Sequence, residues 1–383
     1  MKFLKILNLL LLLTFAGGCA APIASLPSLQ ATQTSPIPAT ATSIPAIPSP
    51  EPSVQAFSTE PSPLQVEVER EWSYPGSEIT FEQTLQNRPS YDQFVVSYLS
   101  EGYKIYAYMA IPRGQKPETG WPSIILNHGY SDLGSYVTTE HYIAFMDVLA
   151  RSGYIVFKPD FRAHGKSEGL RPVGGGYGSP DYMVDSLNAL ASVKAYKDAD
   201  PERIGMIGHS MGGAITLRAM VVSKDIKAGV IWSGVVAPYA TLVYRWKHSL
   251  ISSQRGTPQP GSTETPSLFP EATLQPYSRN VSGWAGSIVK KYGTPEENPA
   301  FWDSISPSAH LKELSGPLQL QATWADPQVP AIWSEDLGKA LEEAGKSYEV
   351  YLYENDDHNL TNNFLIAIQR TRVFLDKYVK NLP

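Results

Sequence analysis

Cysteine is nearly absent: Cys19 is the single one in 383 residues. No intramolecular disulfide can form, so the fold must rest on its core. The apolar run from Ile6 to Phe15, about ten residues, is too short to span a bilayer as a stable helix. Walker A loops, dinucleotide-binding glycine fingerprints, Cys/His clusters at metal spacing and internal repeats are also missing, so neither cofactor nor metal is expected. A net charge of −6 provides no basic face, which argues against a nucleic-acid partner.

What is present divides the chain in three. Lys2 and Lys5 precede the apolar run, and Ala16-Gly17-Gly18 precede Cys19, a pattern that resembles a bacterial lipoprotein signal. Residues 1–18 are then a signal peptide and Cys19 the lipidated start of the mature chain. This implies an extracytoplasmic protein anchored to a membrane; the plainer reading is a secretory peptide cut nearby. Ala20 in place of an aspartate favours an outer surface. Residues 19–65 hold ten of the 32 prolines with Ser, Thr and Ala, and no Lys or Arg falls between Lys5 and Arg70. Such a segment has little to bury and is expected to be a disordered tether. Residues 66–383 are ample for one α/β domain with an insertion.

Within that domain, the stretch from Glu78 to Pro112 has β character. Tyr91–Leu99 and Tyr103–Ile111 read as an antiparallel hairpin turning at Glu101-Gly102, at the sheet edge. Strands and helices then alternate: strand Ser123–Asn127, helix Glu140–Arg151, strand Tyr154–Lys158, helix Tyr182–Tyr196 with Asp181 at its cap. An apolar strand entering Ser210, helix Met211–Ser223 and strand Ala228–Ser233 follow. About eighty residues separate the sixth of these strands from Leu318–Trp324, more than a crossover needs. This insertion, about 236–312, leaves the carboxyl edge of the sheet and reads as a lid, with Gln254–Pro276 as loop and Tyr239, Tyr244, Trp246, Trp284 and Trp302 around it. The alternative is a structural excursion packed elsewhere. Helix Ala331–Ala344, strand Tyr348–Tyr353 and helix Phe364–Val379 close a mostly parallel, doubly wound sheet.

Gly208, Ser210 and Gly212 form G-x-S-x-G on a strand–turn–helix, the nucleophile elbow of α/β-hydrolases. The pentapeptide alone is weak; its context is stronger. That fold orders its triad Ser, acid, His, with the acid and the His in loops after later strands. Asp326 lies just past Leu318–Trp324 and His358 just past Tyr348–Tyr353. The expected roles are Ser210 as nucleophile, His358 as general base and Asp326 as the group fixing the imidazole tautomer. Asp356 and Asp357 are rival acids, but sit too near His358 in sequence to reach its ring easily, and Asp303 falls in the insertion. An oxyanion needs two N–H donors, for which the backbone N–H of Met211 and of Tyr130 are the candidates. His209 is expected to pack against a neighbouring strand and His164 to anchor a loop near Asp160. His141, His248 and His310 are read as surface or satisfied core residues.

Gly208-His209-Ser210-Met211-Gly212-Gly213, His128-Gly129, Asp160-x-Arg162-x-His164-Gly165-x-Ser167 and Asp326-x-x-Val329-Pro330 together resemble the α/β-hydrolase superfamily. Asp181-Tyr182-x-x-Asp185-x-Leu187-Asn188-Ala189-Leu190 with Asp200-Pro201-x-Arg203-Ile204-Gly205 is similar to the catalytic domain of the prolyl oligopeptidase family of serine peptidases and related esterases. The resemblance implies a serine hydrolase acting through an acyl-enzyme on an ester or short peptide, without cofactor. Two departures weaken peptidase activity and raise esterase activity. The tether and a short β region stand where those peptidases carry a β-propeller, and His128 stands near the position of prolyl oligopeptidase's oxyanion tyrosine. An esterase or lipase-like enzyme, an acyltransferase and a non-catalytic surface binding domain on the same scaffold are the competing readings.

Overall fold

The tyrosine- and β-branched-rich stretch after Glu78 folds as three antiparallel strands, β1 (Thr80–Thr84), β2 (Tyr91–Ser100) and β3 (Tyr103–Pro112), with Glu101-Gly102 at the β2–β3 turn. The computed structural model describes residues 57–244 and 281–382. The expected signal peptide, Cys19, most of the expected tether, Trp246, His248 and Gln254–Pro276 lie outside the described residues. Six further strands follow: β4 (Trp121–Asn127), β5 (Ile155–Pro159), β6 (Ala199–His209), β7 (Gly229–Trp232), β8 (Leu318–Thr323) and β9 (Tyr348–Tyr353). They form one sheet in the order β1-β2-β3-β5-β4-β6-β7-β8-β9, parallel from β5 through β9 and antiparallel at the β1–β3 edge.

Parallel strands need both faces covered, and the period-2 side-chain alternation delivers this. Ile125, Met206 and Ile231 face one core, whereas their neighbours Ile124, Ile207 and Val230 face the other. The first core is closed by α1 (Val66–Arg70), α3 (Asp181–Lys194), α4 (Met211–Val222) and α7 (Ile332–Glu343). The second is closed by α2 (Ile143–Arg151) and α8 (Phe364–Leu375). A smaller cluster joins Leu64, Tyr239 and residues of α5 (Gly283–Tyr292) and α6 (Pro299–Ser304).

Four expectations need correction. β1 is a separate edge strand, so the long insertion follows the seventh strand, not the sixth. The packed chain begins before residue 66: Ser62 and Leu64 are buried, and the N–H of Ser58 donates to the carbonyl of Lys291. Asp181 is the first residue of α3 rather than its cap, because its carboxylate turns to Arg162 (3.5 Å) and accepts from the Ser179 hydroxyl (2.8 Å). The closing α-helix ends at Leu375 and continues as a π-turn over Asp376–Lys380.

Two buried ion pairs bolt elements distant in sequence. Arg162, after β5, binds Asp185 of α3 (2.7 Å) and Glu101 at the hairpin turn (2.8 Å). Arg218 of α4 meets both Glu69 oxygens at 2.7 and 2.9 Å, and donates to the carbonyls of Leu64 (3.0 Å) and Ile305 (2.7 Å). It thereby holds α1, α4 and the end of the insertion together. Removing one partner strands a buried charge, so Arg218→Ala is expected to lower unfolding free energy by about 3–5 kcal/mol, read from urea denaturation. A loss below about 1 kcal/mol, the range of exposed pairs, would refute this role.

Candidate active site

At the carboxyl end of β6 the chain reverses into α4 with no intervening loop. Ser210, at φ 56° and ψ −119°, sits at the turn in a conformation that non-glycine residues rarely hold. The two flanking glycines make this possible. A Cβ at Gly208 would lie 2.1 Å from the Gly212 carbonyl oxygen, and one at Gly212 would lie 2.0 Å from that of Asn127 at the end of β4. Backbone therefore packs on backbone at the elbow. Ser210 is fixed by its own N–H donating to the Trp232 carbonyl (2.9 Å) and by its carbonyl accepting from Val235 (3.1 Å).

Asp326 and His358 leave the adjacent ends of β8 and β9. His358 Nδ1 stands 2.7 Å from Asp326 Oδ2. The other oxygen, Oδ1, accepts from the N–H groups of Gln328 (2.8 Å) and Val329 (3.0 Å). Asp326 is 1% exposed, so three donors orient a carboxylate that water hardly reaches. This pairing puts the proton on Nδ1 and leaves Nε2 to exchange protons. The rival acids serve their own loop. Asp356 accepts from the N–H groups of Asp357, Asn362 and Asn363, and Asp357 from those of Asn359 and Thr361. Asp303 is exposed on α6.

Ser210 and His358 line one cleft of ≈ 760 Å³ with Gly129, Tyr130, Tyr142, Phe145, Gln328 and Phe364. Tyr130 follows Gly129 in the loop after β4, and Met211 opens α4, where first-turn N–H groups have no intrahelical acceptor. The arrangement brings a serine, an oriented imidazole and Tyr130 to one cleft, with Met211 directly after the serine. A second, smaller and mostly apolar cavity lies beside Met211, lined by Tyr177, Met183, Ile215, Val235 and Tyr239.

Beneath the loop after β4 lies a buried polar cluster. His128 stacks on Tyr136 (4.8 Å), and its ring nitrogens face the carbonyls of Gly129 (2.7 Å) and Asp160 (3.1 Å). Asp160 accepts from Thr138 (2.5 Å), and buried Lys158 donates to the Tyr136 hydroxyl (3.0 Å). Burial raises the Asp160 carboxyl and lowers the Lys158 ammonium, each partly offset by the other's charge. His164 anchors its loop through the Arg162 carbonyl (3.3 Å). Two residues play a part that sequence reasoning did not assign. His209 is not merely packed, since its nitrogens reach the His358 carbonyl (3.0 Å) and the Tyr142 hydroxyl (2.8 Å). Tyr142 had no signal in sequence, because its place depends on a left-handed φ of 63°.

Comparison with known proteins agrees with this fold. The serine aminopeptidase (S33) family profile matches residues 122–264, and the prolyl oligopeptidase family profile matches residues 274–382. The uncharacterized peptidase YuxL of Bacillus subtilis (strain 168) is 26% identical over 271 residues, covering 70% of this chain and 35% of YuxL. The acylaminoacyl peptidase of Pyrococcus horikoshii superposes with a TM-score of 0.53 at 20% identity, over 77% of this chain and 43% of that one. The acetyl xylan esterase of Paenibacillus sp. R4 does so with a TM-score of 0.53 at 16% identity, over 82% and 92%. The chain thus spans about a third of the curated relative's length. The sheet and its structural neighbours define an α/β-hydrolase fold. Over the matched stretches the chain is similar to serine peptidases of the S33 and prolyl oligopeptidase families.

Two predictions follow from the packing. Gly212→Ala places a Cβ 2.0 Å from a backbone oxygen, and is expected to cost about 1–3 kcal/mol or more by overpacking; a melting temperature equal to wild type would refute the close approach. Burial, with the neighbouring His358 ring, holds His209 down to about 4, and burial holds His164 down to about 4. The unfolded chain protonates these rings below about 6.5. Between pH 6.5 and 4 the unfolded state therefore binds more protons, and stability falls as pH drops through that window. Urea unfolding at pH 7, 5.5 and 4.5 measures the slope, and His209→Gln should flatten it.

Proposed function

We propose that this protein hydrolyses carboxylic ester or short peptide/amide bonds through an acyl-enzyme on Ser210. The observation that carries the reading is the buried, triply bonded Asp326 holding His358 Nδ1 at 2.7 Å, in the cleft that Ser210 lines. In this reading His358 Nε2 takes the Ser210 proton as Oγ attacks the substrate carbonyl. The oxyanion formed is held by the N–H groups of Met211 and Tyr130. His358 then passes the proton to the departing alkoxide or amine, leaving the acyl group on Ser210, and water activated by the same ring releases the acid. Asp326 keeps its charge and stabilises the imidazolium.

Ester and amide cleavage share these steps, so the substrate must be found by assay. The lipoprotein-type start supports an anchor at Cys19 and an extracytoplasmic site of action. The described residues contain no helix long and apolar enough to cross a membrane. A lid role for the insertion is supported by its departure from the carboxyl edge of the sheet. Trp284 of α5 lies against the Val173–Gly176 turn, where a Cβ at Gly174 would meet its ring at 2.5 Å and one at Gly175 would approach the Tyr130 ring at 3.7 Å.

The chain without residues 1–18 should be assayed on p-nitrophenyl acyl esters and on aminoacyl and prolyl p-nitroanilides, with Ser210→Ala as the blank. Asp326→Asn should lower kcat about 10⁴-fold through the wrong tautomer. Activity surviving in Ser210→Ala would overturn the reading. Failure of folded wild type to take up a fluorophosphonate would favour a non-catalytic binding domain, and ester products formed in added alcohol would mark an acyltransferase.

A further inference from the structure

His209 fills the elbow position that G-x-S-x-G leaves open, and its ring is engaged at both ends. Nε2 lies 3.0 Å from the His358 carbonyl oxygen, which can only accept, so Nε2 carries the proton. Nδ1 must then accept, and its partner at 2.8 Å is the Tyr142 hydroxyl. The tyrosine oxygen in turn accepts the N–H of Gly129 at 2.7 Å. One directed chain therefore runs from Gly129 N–H through Tyr142 and His209 to the main chain of His358. Its ends are the loop that carries Tyr130 and the residue that holds Asp326.

A second observation points the same way. Tyr142 adopts φ 63° and ψ 16°, a left-handed conformation that a bulky residue keeps only where its surroundings impose it. A Cβ at Gly129 would stand 2.9 Å from Tyr142 Oη, 3.2 Å from His209 Nδ1 and 3.2 Å from Ser210 Cβ, so the chain passes directly behind the nucleophile.

We propose that His209 and Tyr142 are positioning residues that lock the oxyanion loop and the general-base loop into one geometry around Ser210. This rests on the acyl-enzyme reading above. The chain needs a neutral His209, since an imidazolium has no lone pair for the Tyr142 proton. Burial enforces that state with the nearby ring of His358, 4.7 Å away, against the opposing charges of Asp326 and Asp357.

The test uses the chain without residues 1–18, p-nitrophenyl butyrate and a fluorophosphonate. Tyr142→Phe removes one oxygen and is expected to lower kcat about 10- to 100-fold, with KM within about threefold and labelling of Ser210 slowed in step. Adding His209→Ala to Tyr142→Phe should cost little more, because the chain is already cut, whereas independent structural roles would multiply. His209→Gln, whose amide nitrogen reaches the Nε2 position, should retain more activity than His209→Ala even where Tyr142→Phe fails to fold. Wild-type kcat in folded Tyr142→Phe, multiplicative losses in the double variant, or equal activity of His209→Gln and His209→Ala would each overturn the positioning role alone. Absence of Ser210-dependent turnover in the wild type would overturn the underlying reading, and this one with it.

Discussion

The close approach of backbone to backbone at the end of β6 is the constraint on which the rest depends. Gly208 and Gly212 let α4 begin directly against β4 and β6, with would-be Cβ positions 2.1 and 2.0 Å from carbonyl oxygens. That contact forces Ser210 to φ 56° and ψ −119° and presents the serine at the rim of the sheet. Such a conformation persists only where surrounding structure over-determines it. Here the determinants are the parallel ladder of β4, β6 and β7 and the bonds from Ser210 to Trp232 and Val235.

From that fixed point the site assembles by sheet order. β4 and β6 are neighbours, so the loop bearing Tyr130 lies beside the elbow; β8 and β9 are neighbours, so Asp326 and His358 emerge side by side. Ligands in open α/β sheets bind outside the carboxyl ends of the strands, and the cleft follows that rule. Buried polar pairs then stiffen what the strands place. Arg162 with Asp185 ties the loop after β5 to α3, and Arg218 with Glu69 ties α1 to α4. Their worth lies in fixing unique positions as much as in stability, since a buried charge tolerates no other arrangement.

The legible parts were those whose signal is local. The elbow is written in five consecutive residues, and the loops of Asp326 and His358 each follow a short strand-patterned stretch, Leu318–Thr323 and Tyr348–Tyr353. Elements without a local signature were misread or missed. The described stretch before residue 66 is poor in apolar side chains, yet Leu64 finds a pocket among Tyr239, Ile288 and Phe301. Asp181 has the chemistry of a cap but is drawn to Arg162, whose approach depends on how β5 meets α3. His209 looked like a packing residue because its partners, Tyr142 and the His358 carbonyl, lie 67 and 149 positions away.

Sequence alone determined the class of the fold, the glycine-flanked turn at Ser210 and the placing of Asp326 and His358 just past two strands. These rest on glycine sterics, side-chain periodicity and residue chemistry, which act over a few positions. Tertiary structure alone decided where the packed chain begins, and that Gly129, Tyr142, His209 and His358 share one hydrogen-bonded chain. Those outcomes depend on the relative placement of strand ends and on one left-handed tyrosine, and no run of neighbouring residues encodes either.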